Sequence, residues 1–169
     1  MDPRRACIHE AGHFYLAFRY RPAKAHSIRF SKQTRTDSAT GQPYNSLGEA
    51  VTVNPPDGSA RIQVSISAAG LAAESLVYNE SYEDLMADPA VRWNIKTDTD
   101  HARRDLEREK LLHPSSGDQE FLFYWRTGFD DAVIIMRSSQ DKLQRIADYL
   151  LANPDREILR AEIVENCDL

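Results

Sequence analysis

A chain of 169 residues, 41% hydrophobic and 28% charged, has the length and balance of one globular domain with a core of its own. A net charge of −5 excludes the basic surface that nucleic-acid binding needs, and the Arg103-Arg104 pair is flanked by acids. Two cysteines are too few for a disulfide framework, and no apolar run approaches the roughly 18 residues of a membrane span or the pattern of a secretory leader, so a cytoplasmic protein is expected.

The first element is a helix whose start is written out. Asp2 is a good N-cap and Pro3 sits where its missing N–H costs nothing. From Arg4 to about Tyr20 there is no proline, and Ile8, Leu16 and Ala17 fall on one stripe, before Pro22 sets a boundary. Ser27-Ile28-Arg29-Phe30 and Glu49–Val53 alternate polar and apolar, as half-buried strands do, and the Thr34–Ser46 stretch between them reads as a loop. A second helix runs from Asp57 or Ser59 to about Tyr78, with Gly70 inside it at a cost of about 1 kcal/mol relative to alanine. Residues 79–96 read as an acidic, irregular connector. A third helix is expected over Thr97–Leu112, then helices over Gln119–Trp125, Asp130–Asn153 and Asp155–Asn166. The expected fold is mainly α, of the α+β type, with a small sheet or hairpin.

The chemistry is concentrated in His9-Glu10-Ala11-Gly12-His13. Histidines four residues apart on a helix project about 40° apart and one turn up the same face, so two imidazoles can hold one metal ion. The pattern is that of zinc peptidases, with Glu10 placed beside the metal as a base rather than as a ligand. A catalytic zinc takes a third protein ligand, and the extended motif with a further glycine and histidine is excluded, because Leu16 and Arg19 occupy those positions. The acidic candidates are Glu74, Asp98 and Asp100; His26, His101 and His113 stand in no telling context. Cys7 lies about 200° from His9 around the helix and reads as a buried thiol. Trp93 and Trp125 read as packing residues.

Residues 7–13, Cys-Ile-His-Glu-Ala-Gly-His, resemble the zinc helix in the peptidase domain of FtsH-type ATP-dependent metalloproteases. Leu47–Val53 resembles that family's glycine-led edge strand, Ala69-Gly70-Leu71-Ala72-Ala73-Glu74 its Gly-Gly-Arg-Ala-Ala-Glu helix, and Asp141–Ala147 its C-terminal helix. Asp98-Thr99-Asp100-His101-Ala102 resembles the segment that carries the family's third zinc ligand. Ala102 and Leu106 then fall four and eight residues after Asp98, which the resemblance makes the third ligand. The chain departs from the family in having no ATPase module, no membrane helices and no arginine in the Gly-Gly-Arg signature.

The resemblance implies a single zinc-metallopeptidase-like domain over 1–169, with a catalytic core at 1–112 and C-terminal helices at 118–169. The expected activity is hydrolysis of unfolded proteins or peptides, with His9, His13 and Asp98 holding Zn2+ and Glu10 activating its water. An extended substrate would add alongside Gly48–Val53. A separate ATPase partner and a homo-oligomer are compatible with this reading. The competing readings are a non-catalytic zinc-stabilised peptide-binding module and a zinc hydrolase of a non-peptide amide.

Overall fold

The computed structural model describes residues 2–36, 43–52 and 59–169. Helix α1 (Pro3–Tyr20) opens as its sequence dictates: the Asp2 carboxylate accepts the Arg5 N–H at 3.3 Å, and Pro3 occupies the first turn. From Ala6 to Ala17 only Glu10 is not buried. A helix enclosed on nearly all sides is the centre of a core rather than its cover. Extended backbone at Arg21 and a 3-10 turn at Pro22–Lys24 lead into the sheet.

Strands β1 (Ala25–Thr36) and β2 (Pro43–Thr52) pair antiparallel, with Ile28 opposite Ala50 and Phe30 opposite Gly48. Both are longer than the alternation suggests, and they take up the ends of the expected 34–46 loop; residues 37–42 lie outside the described ones. A third strand, β3 (Glu157–Leu159), pairs with the other side of β1, giving the order β2-β1-β3 and leaving β2 at the edge. The sequence reading placed a helix there. Three residues are too few to show an alternation, and it is Ile158, buried opposite Ile28, that fixes the strand.

Helix α2 (Ala60–Tyr78) follows Ser59 and ends at Asn79, whose left-handed conformation turns the chain. The Asp57 start lies outside the described residues. The expected irregular connector instead holds two helices of six residues each, α3 (Tyr82–Ala87) and α4 (Pro89–Asn94). The Ser81 hydroxyl accepts the Asp84 N–H and the Asp88 carboxylate accepts the Ala90 N–H. Such helices are set by their caps and by single buried anchors, Leu85 and Val91, and are too short to show a period. Trp93 is half exposed there, contrary to its reading as a packing residue, whereas Trp125 is fully buried.

Helix α5 (Lys96–Arg108) carries Asp98 in its first turn. Helix α6 (Asp118–Met136) is one continuous helix where the sequence suggested a break before Asp130. Gly128 does not interrupt it: a Cβ there would stand 2.8 Å from Val64 Cγ1, so the glycine lets α6 cross α2 closely. A 3-10 turn (Arg137–Ser139), α7 (Gln140–Ala152) and α8 (Arg160–Cys167) complete the chain. Leu143, Ile146, Ala147 and Leu150 form the buried stripe of α7, which packs on α1. The fold is mainly α with a small antiparallel sheet, and α1 is gripped between α2, α7 and the β1–β2 hairpin.

Candidate metal centre

Three donor atoms converge above the middle of α1. His9 Nε2 lies 3.1 Å from His13 Nε2 and 3.2 Å from Asp98 Oδ2, and His13 Nε2 lies 3.5 Å from the same oxygen. The histidines come from one face of α1, as their spacing requires, and the aspartate comes from α5, docked against α2. A tetrahedral ion bonded at about 2.0–2.1 Å would set its ligand atoms about 3.3 Å apart, which the three distances bracket. The group can therefore hold a metal ion.

The far side of each imidazole supports that arrangement. His13 Nδ1 donates to the Ile66 carbonyl at 2.7 Å, and a carbonyl can only accept. His9 Nδ1 donates to Glu74 Oε1, also at 2.7 Å. With the protons on Nδ1, both Nε2 lone pairs face the common point, the tautomer a metal-binding histidine needs. Both partners come from α2, which runs antiparallel to α1 at close range. Gly70 makes that approach feasible, since a Cβ there would lie 2.5 Å from His9 Nε2.

Glu10 points to the neighbouring edge strand. The Ala50 N–H of β2 donates to its carboxylate, and a side chain at Gly48 would collide with Glu10 Cγ at 2.5 Å. The glycine and the N–H together fix where this carboxylate lies. Burial pushes its pKa up, and the nearby histidines oppose that push. A base with a raised pKa is better matched to taking and returning a proton near neutrality.

The other candidates fall elsewhere. Glu74 is fully buried but sits behind His9, on the Nδ1 side, so it orients that imidazole instead of joining the three donors. Asp100 faces solvent and pairs with Lys96 at 3.0 Å. His26, His101 and His113 are exposed, and His113 bonds to Ser115. Cys7 is buried, its thiol pushed up to about 12 by burial, and it is inert packing. The Ile66 carbonyl and the Ala50 N–H could not be anticipated from residue type, because backbone groups carry no side-chain signal.

The cluster also sets a pH dependence for the metal-free protein. Burial works against the imidazolium at both histidines. The carboxylates of Asp98 and Glu74 outweigh it at His9, as Asp98 does at His13, so the pair holds its proton above the ordinary histidine range. Burial likewise works against the Asp98 carboxylate, but the two histidines outweigh it and hold the group far below the usual range. A raised histidine pKa contributes stability that is complete below about pH 6.5 and is lost as pH rises through the folded value. The Asp98 contribution is present above about pH 4 and is lost only at strongly acid pH. With chelator present, the unfolding midpoint should fall as pH rises above about 6.5, while the stabilisation added by zinc should grow over the same range. Thermal melts across that range test this, and a flat metal-free profile would show the histidines to be neutral in the fold.

No family model matches the chain, and no curated protein matches it.

Proposed function

We propose that the protein is a zinc-dependent metallopeptidase of the FtsH peptidase type, acting on unfolded proteins or peptides. The observation that carries this reading is the placement of Glu10: a partly buried carboxylate, held by the edge strand next to three converging ligand atoms, yet not one of them. A purely structural zinc site closes with a fourth protein ligand and has no use for an adjacent base.

A zinc ion on His9, His13 and Asp98 would polarise a scissile carbonyl and make a coordinated water acidic enough to attack near neutral pH. Glu10 accepts the proton of the attacking water and delivers it to the amine nitrogen as the C–N bond breaks. The Ala50 N–H holds the carboxylate in place for both transfers. Strand β2 lies at the sheet edge, where an extended peptide can add by main-chain hydrogen bonds beside Glu10. The substrates that suit such an edge are chains already unfolded, with or without the help of a separate ATPase partner.

The test is metal content by mass spectrometry together with cleavage of unfolded casein, before and after chelation and zinc restoration. The expected result is about one zinc per chain and cleavage that chelator abolishes and zinc restores. Zinc without cleavage of casein or short peptides would overturn the peptidase reading in favour of a peptide-binding module. Iron in place of zinc would overturn it too, because two histidines and one carboxylate also hold non-haem iron.

A further inference from the structure

Behind the candidate centre, on the side away from the converging donors, lies a chain of charges that its sequence presents as surface residues. Arg5, one turn before His9, donates from Nε to Glu74 Oε2, while Glu74 Oε1 accepts the His9 Nδ1 proton. The two Glu74 oxygens are thus divided, one to the arginine and one to the histidine. The other edge of the same guanidinium grips Glu80, with Nη2 on Oε2 and Nη1 on Oε1 at 3.3 Å. The Tyr78 ring lies beneath it, 5.2 Å from the guanidinium carbon. Glu80 reaches this position because Asn79 turns left-handed at the end of α2, after which the Glu80 N–H returns to the Ser75 carbonyl and the Ser75 hydroxyl donates to the Glu80 carbonyl.

We infer that Arg5 and Glu80 are positioning residues of the metal centre, which hold the Glu74 carboxylate in the one orientation that aims His9 Nε2 at the shared site. Resting on the metal-centre reading, this extends the site two residues beyond Glu74, to Arg5 and then Glu80. A fully buried carboxylate with a single histidine partner could rotate about its last side-chain bond. A guanidinium fork fixed at both ends leaves it no such freedom. A lysine would supply charge without the fork, so the two basic residues are not equivalent here. His13 needs no such device, because its Nδ1 partner is the Ile66 carbonyl of a helix backbone. The centre is therefore asymmetric: one histidine is aimed by backbone, the other by a relay of side chains.

The experiment compares the full chain with Arg5→Leu, Arg5→Lys, Glu80→Gln and, as a control, Arg4→Leu, whose arginine pairs with Asp148 at the surface. Zinc affinity is read by competition with a chromophoric chelator, metal-free stability by thermal unfolding in EDTA, and ligand geometry by the visible absorption of the cobalt-substituted protein. The expected result is an affinity loss of about 10–100-fold for Arg5→Leu, smaller losses for Arg5→Lys and Glu80→Gln, altered cobalt bands in all three, and none of these changes in Arg4→Leu. Should Arg5→Leu fail to fold, the lysine and Glu80→Gln variants decide. If folded variants bind zinc with wild-type affinity and unchanged cobalt bands, the positioning role is overturned and the metal centre stands. A wild-type chain that takes up no metal overturns the metal centre, and this role with it.

Discussion

Glu10→Gln is expected to keep its zinc and lose about 10²–10⁴-fold in kcat, the range that a positioned acid–base group supplies. The substitution replaces one carboxylate oxygen by an amide nitrogen and changes almost no volume. The remaining oxygen can still accept the Ala50 N–H, and the gap left by Gly48 is unaltered. None of His9, His13 and Asp98 loses a contact with its own partner. In the proposed mechanism, what disappears is the lone pair that would take a proton from water and the proton it would return to the leaving amine. Metal analysis and steady-state cleavage of an unfolded substrate, measured on the same preparation, check both halves. Full activity in the variant would remove Glu10 from the chemistry and leave the site with no base.

The largest structural effect is expected at Gly12, inside the motif yet not a ligand. A Cβ at this position would stand 2.3 Å from the Ala69 carbonyl oxygen and 2.7 Å from Ala73 Cβ. The obstacle is the backbone of α2, so no rotamer change can relieve it and the two helices must move apart. In an unobstructed helix, glycine to alanine gains about 1 kcal/mol. Here overpacking, at about 1–3 kcal/mol or more, reverses the sign. Gly12→Ala should therefore unfold earlier by about 2–4 °C for each kcal/mol lost. It should also bind zinc more weakly, because Ile66 and Glu74 sit on the helix that is pushed away. Gly117, with nothing within 4 Å of its would-be Cβ, is the control: alanine there should cost less than about 1 kcal/mol. Equilibrium denaturation of both variants gives the comparison, and a Gly12→Ala protein as stable as wild type would mean that α1 and α2 are not held this close.

The sequence by itself determined the helix that carries the centre and the direction of its side chains. A capped, proline-opened run with histidines four apart leaves little freedom, since the helical repeat alone puts His9 and His13 on one face. It also determined the mainly α class, because helices of 13–19 residues such as α1, α2 and α7 show their apolar period plainly, whereas α6 was read as two pieces. Elements set by one anchor were not legible: α3, α4 and β3 owe their place to Leu85, Val91 and Ile158, which gain meaning only when something packs over them. The resemblance singled out Asp98 among the acids, and the tertiary structure shows where each of them lies. By residue type, Glu74, Asp98 and Asp100 are equivalent; the docking of α2 and α5 around α1 put Asp98 among the donors, Glu74 behind His9, and Asp100 in water. The same holds for the glycines, whose roles at 12, 48, 70 and 128 depend on which element lies opposite. Local pattern records what a residue does within its own helix or strand. The partner of a buried polar group comes from a segment tens of residues away, fixed by how apolar faces pack, and no local period encodes that choice.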